Sequence, residues 1–264
     1  MGSFRKQRAA APRGFFACEA AGLRWLADAE AVRVVQVLAV DDHGLDLERI
    51  EPASPTLEAA RAFGRDLARL HDAGAPAFGS APPGWQGDGF FGPLDDPYPL
   101  LAGAHDAWGT HYADDRVAQV VDLLGSALPQ HARSDLEHVR ERLHSGTWDD
   151  DDAPARLHGD LWAGNLMWTP DGGGGVEAVL IDPAAHGGHR LTDLAMLDLF
   201  GAPHLDAIFE TYEEAHPLRP GWRDLLGLHQ IYPVGMHAVL FGGGYLGQLG
   251  RLAARYARTA PGES

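Results

Sequence analysis

The chain has one cysteine, Cys18, in 264 residues, and it is short of cations: 21 Lys and Arg stand against 37 Asp and Glu, a formal charge of −16. A single thiol excludes an intrachain disulfide framework. The shortage of Lys and Arg argues against a nucleic-acid binder, because neutralising phosphates requires clustered cations. An acidic surface suits a cationic substrate instead. Long apolar runs and a signal-peptide pattern are also missing, which argues against a membrane span and points to the cytoplasm. No internal repeat is visible. Glycine (33) and proline (18) are abundant and often fall between apolar segments, so the chain is loop-rich. Aliphatic and aromatic residues spread along nearly its whole length exclude disorder and supply a core for one large domain or two lobes.

Against that background one stretch stands out, Leu157-His158-Gly159-Asp160-Leu161-Trp162-Ala163-Gly164-Asn165, followed by Val179-Leu180-Ile181-Asp182-Pro183. Transfer of a nucleotide γ-phosphoryl requires a carboxylate beside the acceptor hydroxyl and two oxygen ligands that hold magnesium on the phosphates. The H-x-D-x-x-x-x-N spacing supplies Asp160 for the acceptor and Asn165 for the metal. Asp182, closing an apolar run, falls at a strand end on the other side of the ions.

Upstream, Gly14 to Ala29 carries helical periodicity, with Glu19 in its middle and Lys6 in the segment before it. A strand lysine on the phosphates, positioned by a helix glutamate, is the matching arrangement in kinase-type sites. Alone, the pair reads as two solvated surface residues; beside the catalytic stretch it becomes a candidate. Two short strands, Val32 to Val40 and Leu45 to Ile50, form a hairpin through Asp41 to Gly44. The backbone from Glu48 to Ile50 then forms the connector to a larger lobe, where adenine would meet main-chain groups.

Pro52 to Thr56 marks a boundary, with Thr56 as N-cap of a helix from Leu57 to His71. His71-Asp72 has the form of a His–carboxylate dyad, but a histidine in a last helical turn also suits the helix dipole, and the structural role is favoured. Gly74 to Pro99 reads as a long irregular loop bordering the acceptor. Helices follow near Ala104 to Leu124 and Ser134 to Leu143, the second with Ser134 as N-cap. Asp149 to Asp152 lacks the alternation and glycine of an EF-hand and reads as a solvated loop. His186 and His189 lie at metal-ligand spacing without a fixed third ligand, so metal binding is disfavoured. Asp193 caps or anchors the helix running through Phe200. Leu225 to Tyr256 reads as helices broken at Gly242 to Gly244. His237, Phe241 and Tyr245 share helical spacing there; core packing is the default for that face, and His237 is its candidate at the acceptor.

These residues resemble the fructosamine kinase family, within the aminoglycoside-phosphotransferase and protein-kinase-like fold. The most specific parts are His158 to Asn165, Ile181-Asp182-Pro183-Ala184, and Gly188-His189 with Asp193-Leu194-Ala195. Tryptophan after Asp-Leu, and Asp-Pro-Ala in place of a protein kinase's Asp-Phe-Gly, separate this family from other small-molecule kinases. The resemblance implies an α+β, bilobal fold, with a small β-rich lobe over residues 1–51 and a larger, mostly helical lobe over 52–264. It implies Asp160 as catalytic base, Asn165 and Asp182 as magnesium ligands, Lys6 with Glu19 on the phosphates of ATP, and Trp162 beside the sugar. The implied acceptor is a free or protein-bound fructosamine or ketosamine, phosphorylated on a sugar hydroxyl (O3 in the family), with protein deglycation as the setting.

The departure is at the N-terminus. Family members place a Gly-rich loop on two strands before the lysine strand, and Lys6 is only the sixth residue here, so the small lobe is expected to be truncated, with a late start codon as the favoured reason. A kinase of another amino sugar or aminoglycoside shares the Asp160, Asn165 and Asp182 chemistry, and a nucleotide-binding pseudokinase fits the missing loop. A metal-dependent hydrolase on His158-x-Asp160 leaves Asn165 and Asp182-Pro183 unexplained.

Overall fold

The computed structural model describes residues 2–8, 11–92 and 96–258. The chain runs β1 (Ser3–Gln7), α1 (Phe15–Ala27), β2 (Arg33–Val34), β3 (Val37–Asp41), β4 (Gly44–Glu48), α2 (Leu57–Asp72), β5 (Gly89–Phe91) and β6 (Tyr98–Leu100). It continues with α3 (Trp108–His111), α4 (Ala118–Leu124), α5 (Gln130–His144), β7 (Ala155–Leu157), β8 (Leu166–Pro170), β9 (Val176–Leu180) and β10 (His186–Gly188). Five helices close it: α6 (Leu191–Phe200), α7 (Leu205–Ala215), α8 (Trp222–His229), α9 (Ile231–Phe241) and α10 (Gly244–Arg258). Strands β1, β3 and β4 with α1 make a small β-rich lobe, and most of the helices, with short strands among them, make a larger one, an α+β arrangement.

The small lobe is an antiparallel sheet in the order β1-β4-β3, with Lys6 opposite Leu45. On its inner side Leu45 and Leu47 pack with Phe16, Leu23 and Leu26 of α1 in one apolar core. That packing sets the helix glutamate against the strand lysine. The stretch expected as a single strand from Val32 to Val40 is two. Arg33 and Val34 pair in parallel with Val179 and Leu180 of β9, whereas Val37 to Asp41 pair with β4. Apolar residues at both ends of this stretch satisfy two different sheets, which periodicity within the segment cannot reveal.

In the larger lobe α2 begins where expected, with the Thr56 hydroxyl accepting from the Ala59 N–H at 3.1 Å, a cap worth about 1 kcal/mol. Its Phe63, Leu67 and Leu70 are buried. The expected helix near 104–124 contains a wide turn over Tyr112–Val117 between α3 and α4. Tyr112 stitches a second junction: its hydroxyl bonds the Leu228 and His229 carbonyls at 3.1 and 2.8 Å and accepts the Tyr232 N–H at 3.0 Å. These contacts fix the step from α8 to α9 and so the position of His237. Helix α5 starts at Gln130, placing Ser134 inside it rather than at its cap. Part of the expected loop from Gly74 to Pro99 forms β5, paired with β6, and residues 93–95 of it lie outside the described residues. Among the described residues no helix is long and apolar enough to cross a membrane.

Candidate active site

Lys6 is the half-buried residue of an otherwise exposed strand. Its Nζ lies 2.9 Å from both carboxylate oxygens of Glu19 and 3.1 Å from Asp182 Oδ1. Burial works against the ammonium, but Glu19 and Asp182 outweigh it and hold the Lys6 pKa above the ordinary lysine value. Burial pushes the Glu19 carboxyl the other way, up to about 7, with Lys6 opposing. One cation therefore bridges two carboxylates from separate elements. Asp182 follows β9 with φ +52°, a left-handed conformation that is costly for a non-glycine residue and is held by its surroundings.

The catalytic stretch is fixed by its main chain. His158 is fully buried; its Nε2 lies 2.9 Å from the Ile181 carbonyl, and its Nδ1 accepts the Asp160 N–H at 3.2 Å. Burial lowers its pKa, so the ring is neutral with its proton on Nε2. Gly159 has φ +80°, and a Cβ there would meet the Ala184 carbonyl oxygen at 2.1 Å, so only glycine lets the loop pass the Asp182-Pro183-Ala184 segment. The Asn165 amide then ties the two segments together. Its Nδ2 lies 2.9 Å from Asp160 Oδ2, 2.8 Å from the Asp160 carbonyl and 3.4 Å from the Asp182 carbonyl. With the nitrogen so engaged, Oδ1 is the atom through which Asn165 would meet a cation. Burial pushes the Asp160 carboxyl up to about 7, with the negative charges of Asp193 and Asp182 acting in the same direction and the Asn165 amide opposing.

Beside Asp160 lies an open pocket of about 230 Å³ whose wall includes Trp162, Phe200, His237, Leu240 and Phe241. The Trp162 indole covers Gly164, where a Cβ would come within 2.3 Å of the ring, so the glycine lets the indole fold back over its own loop. His237 Nδ1 lies 2.7 Å from the Pro233 carbonyl one helical turn earlier and therefore donates, leaving Nε2 to accept. Three residues of helix α9, the last residue of α6, and Asp160 and Trp162 of the loop thus share one cavity.

The chain matches known proteins over most of its length. The family model for fructosamine kinase covers residues 3–258. A probable ketoamine kinase of Synechocystis is 32% identical over 237 residues, covering 87% of this chain and 74% of that protein. One from Thermus thermophilus is 32% identical over 241 residues, covering 91% and 82%. The chain belongs to the fructosamine kinase family. A solved Thermobifida fusca protein described as a fructosamine-3-kinase superposes with a TM-score of 0.87 at 40% identity, covering 97% of this chain and 86% of that one. The structure of a gentamicin complex of the aminoglycoside phosphotransferase APH(2")-IIa superposes with a TM-score of 0.56 at 13% identity, covering 98% and 86%, a likeness of fold alone. As a fructosamine kinase family member, the protein is a phosphotransferase with an alcohol-group acceptor.

In this kinase Lys6, Glu19, Asp160, Asn165 and Asp182 form one connected set, and Trp162 and His237 share the pocket beside Asp160. Glu48 and Ile50 stand apart from these contacts. The Glu48 N–H donates to the Gln36 carbonyl at 2.9 Å, and its carboxylate meets Arg33 Nη2 and the Gln36 N–H, each at 3.0 Å. Ile50 packs against the first core. His186 Nδ1 bonds the Ala184 carbonyl at 2.8 Å, and His189 meets Asp150 at 3.3 Å, so the two histidines have separate partners. The acidic run is less solvated than its composition suggests: Asp149 accepts the Gly109 N–H at 2.9 Å, and Asp152 meets Arg190 Nε at 2.6 Å.

The largest addition concerns Asp193. It lies in the first turn of α6, but its carboxylate accepts the His158 N–H at 2.7 Å and the Gly159 N–H at 2.9 Å, anchoring the catalytic loop as well as the helix. His71 Nε2 reaches the same carboxylate at 3.2 Å, and His71 Nδ1 lies 2.7 Å from the Tyr212 hydroxyl, so His71 pairs with Asp193 and not with its neighbour Asp72. Burial disfavours the Asp193 anion, but these donors hold its pKa below the usual carboxylate range. A signal did exist: a carboxylate set among Leu191, Leu194, Ala195 and Leu197 must find donors, and none is local. Phe200 and Phe241 are not distinguishable in sequence from core aromatics.

Proposed function

We propose that the protein is an ATP-dependent kinase that phosphorylates a sugar hydroxyl of a ketosamine. The observation that carries this reading is the double membership of Asp160. Through Asn165 it is tied to Asp182 and hence to Lys6 and Glu19, and it also stands on the wall of the pocket that holds Trp162 and His237. Residues 1–51 then serve as the nucleotide-side lobe and 52–264 as the lobe bearing the acceptor.

In this reading Asp160, ionised above about pH 7, takes the acceptor proton as the new O–P bond forms and the bond between the γ-phosphorus and the ADP oxygen breaks. The Asn165 amide fixes which carboxylate oxygen is occupied and leaves the other for the hydroxyl. Lys6, held by Glu19, neutralises phosphate charge. Asn165 Oδ1 and the Asp182 carboxylate are the hard oxygen donors that suit magnesium, which when bound neutralises charge on the transferring group. Trp162 covers one side of the sugar, and His237 Nε2 accepts from a sugar hydroxyl. Most of the rate enhancement comes from positioning and preorganised charge.

A coupled ADP-release assay with magnesium tests the reading, using a fructosyl amine, an aminoglycoside and choline as acceptors. Turnover with the fructosyl amine, abolished by EDTA and restored by magnesium, is expected. Turnover confined to an aminoglycoside would replace the acceptor while keeping the chemistry, and nucleotide binding without turnover on any acceptor would point to a pseudokinase. Phosphorus NMR of the product reads the regiochemistry, with O3 expected.

A further inference from the structure

Much of the wall of the pocket beside Asp160 is aromatic. Trp162 and Phe241 are 41% and 68% exposed, among the few large apolar side chains that the described residues leave in solvent, and both stand on this one pocket. Phe200 and His237 connect them: ring centroids lie 6.3 Å apart between Trp162 and Phe200, 5.0 Å between Phe200 and His237, and 5.7 Å between His237 and Phe241. Phe241 is the last residue of α9; the helix stops there because Gly242 turns to φ +59°, which leaves the ring at the rim. Among the described residues Asp160 is the one charged side chain on the pocket wall, and no Lys or Arg lines it.

A ketosamine has two ends, the sugar and the group borne on its nitrogen. Resting on the reading of Asp160 as base at the sugar hydroxyl, we infer that Phe200 and Phe241 select the nitrogen-borne group, and that it is a ring-bearing amine without an α-carboxylate rather than an α-amino acid. Three physical features point the same way. A protonated secondary amine is attracted both by the Asp160 carboxylate and by ring faces. An apolar stem or ring beyond it gains edge and face contacts with rings otherwise left in water. An α-carboxylate at the same place would be desolvated beside Asp160 with no cation on the wall to receive it. Nothing is needed from the nucleotide side.

The test uses three ketosamines with the same sugar: those of phenethylamine, of phenylalanine, which differs from it by one carboxylate, and of ethylamine, which lacks the ring. The expected result is a kcat/KM for the phenethylamine adduct roughly tenfold or more above each of the other two, carried by KM. Phe241→Ala should shrink the phenethylamine-to-ethylamine ratio to within about twofold, with Phe241→Leu intermediate, while the discrimination against the carboxylate persists. A phenylalanine adduct used as well as the phenethylamine adduct overturns the inference, and so does a ring preference that survives Phe241→Ala in a folded variant. Loss of turnover on all three ketosamines, with turnover retained on an aminoglycoside, overturns the underlying reading of the acceptor and this inference with it. Good turnover of all three alike overturns only the inference.

Discussion

The two sides of the cleft are built on opposite plans. On the side proposed for the nucleotide the polar groups are already engaged with one another: Lys6 is shared between Glu19 and Asp182, and Asn165 is bonded to Asp160 and to the Asp182 main chain. On the side proposed for the acceptor Trp162 and Phe241 are exposed, and among the described residues the pocket has aromatic walls and one carboxylate. The first side resembles a set of charges waiting for a phosphate and a cation to complete it. The second offers surface that only a ligand would cover. In the proposed reading, chemistry common to the kinase-like fold sits on one side, and selectivity on the other, with Asp160 between them.

The largest expected effect falls on the shared residue. Asp160→Asn should lower kcat by about 10²–10⁴-fold while the affinity for magnesium nucleotide, measured by calorimetry, stays within about threefold. Turnover above about a tenth of the parent would remove Asp160 from the role of base. Next comes the anchor beneath both sides. Asp193→Ala leaves two buried N–H groups and His71 without their acceptor, and should cost about 3–5 kcal/mol in denaturant unfolding, with kcat falling for every acceptor. A variant of parental stability would show that the loop holds without it.

The comparison itself is sharpened by two KM experiments. Lys6→Met should raise the nucleotide KM by an order of magnitude or more and leave the ketosamine KM nearly unchanged, because it removes a phosphate cation and nothing from the pocket. Trp162→Ala should do the reverse, by roughly tenfold. The same sign in both variants would collapse the two sides into one.

The smallest effect is on pH dependence. The folded chain holds the Asp160 proton up to about pH 7, whereas an unfolded aspartate releases it near pH 4. Between these values the folded state binds more protons, so the group's contribution to stability falls as pH rises through that window. Asp160→Asn should therefore gain in Tm relative to the parent at pH 8 and not at pH 4, while kcat/KM of the parent rises with pH through about 7. A parent profile flat from pH 5.5 to 8 would contradict the assignment.

How much of this is legible in the sequence differs between the two sides for the same reason. Asp160, Asn165 and Asp182 follow from spacing, because the metal and the hydroxyl demand fixed residue types on a short loop and a strand end. Lys6 with Glu19 needs only a strand and a helix side by side. Phe200 and Phe241 come from the ends of two helices distant in sequence, and an aromatic at a helix end looks the same whether it faces a core or a cavity. Asp193 reads in sequence as a helix anchor; its hold on the loop 35 residues upstream depends on tertiary contact. The split of the 32–41 stretch into β2 and β3 has the same cause, since its partner β9 lies beyond residue 175.

Lys6 is the chain's single lysine, which permits a direct measurement. Protein grown on lysine labelled at Cε and Nζ gives one side-chain NMR signal, that of the residue proposed to hold the phosphates. The account predicts that magnesium nucleotide moves this signal at saturation and that a ketosamine alone leaves it in place. A signal indifferent to saturating nucleotide, or one that moves as far with ketosamine alone, would contradict the division of the cleft into a phosphate side and an acceptor side.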